Sequence, residues 1–400
     1  MSVTRSLRHL STSPHNCMRP YFYRHQEIKK FKEAFSYNIP RIHVILGPPN
    51  SGKTTLIRDV AKMCDVNPLI IDCRTGSFDT PENLYCSISA QFRQFFANNS
   101  NLIKNCSVLL NTLSYKQQNN FKITNKDVIE LFEKIDETIE TYSLWKNKIE
   151  SPPLLIFDEA HLFSKLTKLT KSKEGGSLLI SFLNWLVTCT KQNKFFHVVL
   201  TSSDSFFINW ITKILLVPYV TPYIVGDLSR EEAEEYFELH VLPKHDYEVR
   251  GELEGQFDNV CSITGTRMLT IDHYVDEYKV HRGKFENFSE YRQELDWLNS
   301  GLYPKKLRLP GKFIPSWNRD DFIDTMNAII RSPGFILENN LINEIGHEAV
   351  SSLIEYNFLH RRPTNNYAND IINPPDEVIL TAMSKPSIFA MENLLKRINN

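Results

Sequence analysis

Ile42-His43-Val44-Ile45-Leu46-Gly47-Pro48-Pro49-Asn50-Ser51-Gly52-Lys53-Thr54-Thr55 decides the fold. Gly47 to Thr54 has the spacing Gly-x4-Gly-Lys-Thr of a loop that wraps nucleotide phosphates. Such a loop needs a buried strand before it and a helix after it, so that backbone N–H groups and the helix N-terminus converge on one phosphate. The apolar run Ile42 to Leu46 predicts the strand, and Thr55-Leu56-Ile57-Arg58-Asp59-Val60-Ala61-Lys62 predicts the helix. A second apolar run, Leu154-Leu155-Ile156-Phe157, ends in Asp158-Glu159, the acidic partner the loop requires.

These residue types in this order imply a nucleoside triphosphate and Mg²⁺ as cofactors. Gly47, Pro48, Pro49, Asn50, Ser51, Gly52, Lys53, Thr54 and Thr55 are expected to line the phosphates, with Lys53 reaching the β- and γ-phosphates as a point charge. Thr54 and Asp158 are the expected metal holders, and Glu159 stands one residue farther on, placed to polarise the attacking water. A third buried run, Phe195 to Leu200, delivers Thr201, Ser202 and Ser203 to the same sheet edge, where a hydroxyl can reach the γ-phosphate or the water.

Composition narrows the alternatives. Lys plus Arg at 46 against Asp plus Glu at 47 leaves a formal charge of -1, so no global field draws the chain to nucleic acid or anionic lipid. Seven scattered cysteines without a C-x-x-C pair argue against a disulfide framework and a zinc site. No apolar run approaches the ~20 residues of a spanning helix. The first 26 residues hold Arg5, Arg8, Arg19 and Arg24 with several hydroxyl residues and no acid. That composition is expected of a mitochondrial matrix presequence over 1–20, the alternative being a basic tail on a cytoplasmic protein.

Apolar strands alternating with amphipathic helices predict an α/β core with a parallel sheet over 21–228, ligand binding at the strands' carboxyl ends. Within it, Thr80-Pro81 reads as a helix start and the Asn-rich stretch 98–124 as an insertion. Ser229 and Glu232 form a capping box that opens a helical lid over 229–281. Residues 282–318, Pro-containing and with basic Lys305, Lys306, Arg308 and Lys312, read as a linker. Residues 319–400 give helices near 320–330 and 347–356 with short apolar runs at Phe358-Leu359 and Val378-Ile379-Leu380, the order of a winged-helix-like α+β module.

Taken together, these motifs resemble the AAA+ P-loop ATPases, in particular their archaeal-type branch, related to origin-recognition and STAND-type ATPases. Tyr23-Arg24-His25-Gln26-Glu27-Ile28 is similar to that group's segment leading into the core, which implies that Arg24 and Glu27 border the adenine. Gly47 to Thr54 and Asp158-Glu159 match the Walker A and B motifs, Ser202-Ser203 the sensor-one position, and Gly226-Asp227-Leu228-Ser229 the turn into the lid. Gly265-Thr266-Arg267 looks like a degenerate sensor-two segment, and by that likeness Arg267 would approach the γ-phosphate. One departure stands out: Ser205 to Leu228, about where such proteins carry an arginine finger, contains no arginine. A finger is worth ~10³ to 10⁵ in rate where it exists, so a slow switch fits better than a fast motor.

Two other readings use the same residues. Asp158-Glu159-Ala160-His161 spells the box of one helicase superfamily, yet a helicase needs a second RecA-like domain with an Arg-rich motif, and nothing after Ser229 resembles one. Alternatively the C-terminal module is the effector and ATP only gates it. Its presumed recognition helix has Glu344, Glu348 and Glu355 nearby, carboxylates that repel phosphate, and its basic cluster is His360-Arg361-Arg362, read as a solvated wing. A protein client is therefore favoured over nucleic acid.

Overall fold

Five parallel strands order the first half of the chain. The computed structural model describes residues 24–99, 122–147, 151–168, 174–215, 220–307, 314–363, 370, 371, 373 and 375–399. The basic segment 1–20 and most of the insertion lie outside the described residues.

The strands are β1 (Ile42–Leu46), β2 (Asn67–Asp72), β3 (Pro153–Asp158), β4 (His197–Ser202) and β5 (Val220–Ile224), in the spatial order β2-β3-β4-β1-β5. β1, β3 and β4 are buried at every residue, as expected of interior strands covered on both faces. Side chains alternate between the faces. Val44, Leu155, Phe157 and Leu200 pack on one side with Phe92, Phe132 and Phe182. Ile45, Leu154, Ile156 and Val199 pack on the other with Phe31, Leu56 and Val60. β5 forms an edge through its pairing with β1, and there Pro222 is tolerated because an edge strand can lack one donor.

Beyond Leu228 a second core begins. It joins Leu228, Phe237 and Ile271 of the expected lid to Tyr291 and Leu298, then to Phe322, Leu353 and Leu394. The stretch expected to be a linker therefore contains a packed helix, Ser289–Gly301. Its apolar residues Tyr291, Leu295 and Leu298 are spaced i, i+4, i+7, but Arg292, Glu294 and Asp296 between them dilute the signal. A Cβ on Gly301 would meet Phe322 at 2.5 Å, so glycine lets this helix end lie directly against helix Arg319–Arg331. Trp317 Nε1 donates to Gly301 O at 3.0 Å across the same joint.

The C-terminal residues form a small antiparallel sheet, β6 (Ile336–Leu337), β7 (His360–Arg362) and β8 (Ile379–Thr381), ordered β6-β8-β7, with helices Glu338–Ile345 and His347–Glu355 between β6 and β7. The basic cluster on β7 is not a solvated wing. His360 and Arg362 are 2% and 4% exposed. Arg361 makes a bidentate pair with Glu338 at 2.6 and 3.0 Å, and Arg362 one with Asp370 at 3.0 and 2.9 Å. The cluster faces inward because each guanidinium has an acidic partner within the module, a long-range fact invisible in residues 358–363 alone.

Candidate nucleotide site

β1 and β3 deliver the two acidic and basic motifs to one edge. Gly47 turns off β1 against Val225, whose carbonyl lies 2.1 Å from where a Cβ would stand, so only glycine permits the approach. Asn50 and Gly52 take the left-handed region (φ 64° and 82°), and helix Lys53–Met63 starts immediately after. Leu56, Ile57, Val60 and Ala61 anchor it against the sheet, which fixes its N-terminus at the loop. Pro48 and Ser51 are buried, while Pro49, Asn50 and Thr55 are exposed.

Lys53 is 5% exposed and folds over its own loop, donating to Gly47 O at 3.0 Å and Pro48 O at 2.9 Å. Burial lowers its pKa to about 8, against the opposing pull of Glu159 and Asp158. Thr54 Oγ1 donates to Asp158 Oδ1 at 2.6 Å, and Thr201 Oγ1 donates to the same oxygen at 2.5 Å. Hydroxyl and carboxylate meet at the helix N-terminus, an oxygen donor set that suits Mg²⁺.

Glu159 sits just past β3 in the left-handed region, φ 57°. Its Oε2 accepts from the backbone N–H and the hydroxyl of Ser203 at 3.1 and 2.7 Å and lies 3.3 Å from His161 Nδ1. Burial pushes its pKa up, but His161, Ser203 and the Lys53 charge outweigh that and hold it at about 2. His161 thus serves as a hydrogen-bonding neighbour. Ser202 Oγ faces His161 Nδ1 at 3.4 Å and receives the Asp204 N–H at 3.0 Å. Of the expected sensor-one pair, Ser203 therefore engages the catalytic candidate directly and Ser202 braces its surroundings.

Arg24 also reaches the loop. Its backbone is left-handed (φ 76°), its Nη2 donates to Ser51 O at 2.6 Å and Gly226 O at 2.8 Å, and its backbone N–H donates to Glu232 Oε1 at 2.8 Å. Nε and Nη1 are buried without a hydrogen-bond acceptor among the described residues, and Glu27 stands 3.6 Å from Nη1. Burial raises the Glu27 pKa against the nearby Arg24 charge. Glu232 closes the expected capping box with Ser229 while holding Arg24.

Arg267 departs from the sensor expectation. Its guanidinium donates to Asp227 Oδ1 and Oδ2 at 2.8 and 3.2 Å and to Met383 O, just past β8, at 2.7 Å. It nevertheless lines a cavity of about 440 Å³ with Pro49 and Asn50 of the loop and Thr270 and Glu294 beyond. Arg74, which the sequence reading passed over, donates through Nη2 to Asp158 Oδ2 at 2.9 Å. Asp-x-Arg immediately after a strand end, Asp72-Cys73-Arg74, was the available signal.

The model of an ATPase domain found predominantly in Archaea matches residues 21–215. An uncharacterized ATP-binding protein of Methanocaldococcus jannaschii is 27% identical over 238 residues, 55% of this chain and 62% of the relative. Another from Pyrococcus horikoshii is 28% identical over 224 residues, covering 54% and 65%. The chain thus spans under two thirds of the length of these relatives. A Walker-type ATPase of Pyrococcus abyssi shares the fold, with a TM-score of 0.53 at 14% identity over 94% of this chain and 99% of that one. Sheet order, converging Walker motifs and this match give the chain the fold of a P-loop ATPase, with residues 21–215 similar to an ATPase domain found predominantly in Archaea.

Proposed function

We propose that the protein binds ATP with Mg²⁺, hydrolyses it slowly, and uses the difference between ATP and ADP to set how the lid and the C-terminal module sit on the core. The observation that carries this is the convergence of Lys53, Thr54, Asp158 and Glu159 at the carboxyl end of the sheet. Lys53 meets the phosphates as a cation, and Thr54 with Asp158 holds the metal, which neutralises phosphate charge when bound. At a pKa of about 2, Glu159 is a poor proton acceptor at neutral pH. It orients the attacking water, with Ser203 fixing the carboxylate. Arg24 supports the loop and has two buried N–H donors to offer a ligand.

The lid is where nucleotide state would be read. Arg267 lies beside the loop yet bonds Asp227 and the C-terminal Met383, so one guanidinium links the phosphate side of the cavity to the module. The 319–400 elements support a winged-helix reading by their order and their β6-β8-β7 sheet. With Arg361 and Arg362 internally paired, a protein client suits this module better than nucleic acid.

The expected outcome of mutation separates binding from chemistry. Lys53→Ala abolishes ATP binding, whereas Glu159→Gln binds ATP and loses turnover by ~10² or more. Fluorescent-nucleotide titration alongside a phosphate-release assay checks both. Wild-type turnover retained in Glu159→Gln would remove Glu159 from the chemistry, and undiminished binding by Lys53→Ala would remove the loop.

A further inference from the structure

Asp72, the last residue of β2, stands in register opposite Asp158, the last residue of β3. Arg74 bridges them. Its Nε and Nη2 donate to Asp72 Oδ1 and Oδ2, both at 2.9 Å, and its own N–H caps Asp72 Oδ1 at 3.0 Å. The same Nη2 lies 2.9 Å from Asp158 Oδ2, the oxygen that Thr54 and Thr201 leave open. The side chain is 59% exposed, and Nη1 has no acceptor among the described residues. A guanidinium with an anchored stem and a solvent-side face thus stands beside the carboxylate assigned to the metal.

An exposed arginine tied to an acid two residues away is ordinarily worth little. The second acid distinguishes this one. Asp158 is buried and is expected to turn to the metal once ATP is bound, which deprives Arg74 of one acceptor at the moment a phosphoryl group carrying anionic oxygens arrives nearby. Planar donors in a fork match such oxygens. The stretch Ser205 to Leu228 contributes no arginine, so a guanidinium from that stretch of a second subunit is not on offer.

We propose that Arg74 is the arginine that stabilises charge on the transferred phosphoryl group, acting within its own chain by swinging about Asp72 from Asp158 to the γ-phosphate. This rests on the ATPase reading above. In the step, the water oxygen bonds to the γ-phosphorus as the bridging bond to the β-phosphate oxygen breaks. The electron pair of that bond leaves with ADP, and the water proton passes to the released phosphate. Arg74 changes no bond; it holds the equatorial oxygens.

The test uses full-length protein with Arg74→Ala and Arg74→Lys, melting curves confirming the fold. We expect kcat to fall by ~10³ while ATP affinity, read with a fluorescent analogue, shifts less than ~3-fold. Fluoroaluminate is expected to tighten ADP binding in wild type and fail to do so in both variants, because lysine cannot replace the fork. Should Arg74→Ala melt early, Arg74→Lys carries the same readings. Mixing Lys53→Ala with Arg74→Ala protein should restore nothing. Wild-type-like turnover, or fluoroaluminate tightening of ADP binding in Arg74→Ala, would overturn the proposal alone, and recovery on mixing would overturn the within-chain assignment. No turnover by wild type would overturn the ATPase reading itself, and this with it.

Discussion

Lys53 is a cation kept where a cation is costly, and its consequence can be measured without nucleotide. Its ordinary pKa of 10.5 falls to about 8 because burial disfavours the charged form. Between those values the unfolded chain binds a proton that the folded chain does not, so stability rises with pH across about 8 to 10.5. Lys53→Met removes that rise. Apo Lys53→Met should be more stable than wild type at pH 7 by up to about 3 kcal/mol, less the value of two lost carbonyl bonds, with the gap closing towards pH 10.5. Urea unfolding at several pH values checks it, and a gap that widens with pH would contradict the assignment. At this scale the convergence of Lys53, Thr54, Asp158 and Glu159 was legible because motif spacing and the strand end set it. Arg74 was not, because its partner Asp158 is a neighbour only across the sheet.

Among the elements, strands carried by continuous apolar runs were read within a residue or two, since burial on both faces leaves no alternation to misread. β4 extends past Leu200 to Ser202, so Thr201 points at Asp158 from within the strand. The lid joint was read less well. Gly265-Thr266-Arg267 resembled a sensor, and the structure shows its arginine in a buried pair whose side chains are 10% and 18% exposed. Asp227 answers by ionising more readily: burial opposes this, but the Arg267 charge and its hydrogen bonds prevail. Breaking such a pair costs about 3 to 5 kcal/mol because one charge is left buried alone. Asp227→Asn is therefore expected to lose stability of about that size and to speed amide exchange around residues 226–232 and 265–268. A loss below about 1 kcal/mol would mean that the pair behaves as a surface bridge and latches nothing.

For the molecule as a whole, the deciding fact is that lid, helix Ser289–Gly301 and C-terminal module share one core. Sequence reading divided them because each is separately amphipathic and a Pro-containing, basic stretch lies between. Periodicity reports which face is apolar but not what covers it. Phe322 against Gly301, and Arg267 on Met383 O, show the cover. Movement of the lid must therefore be shared by the module, and the joint between that body and the Walker loop runs through Arg24, Glu232 and Asp227. The direct test of a nucleotide switch is hydrogen exchange on Glu159→Gln, which is expected to hold ATP without cleaving it. Protection at residues 226–232, 265–268 and 381–385 should differ between the ATP-bound and ADP-bound protein. Identical protection with both nucleotides, both shown to be bound, would contradict the account.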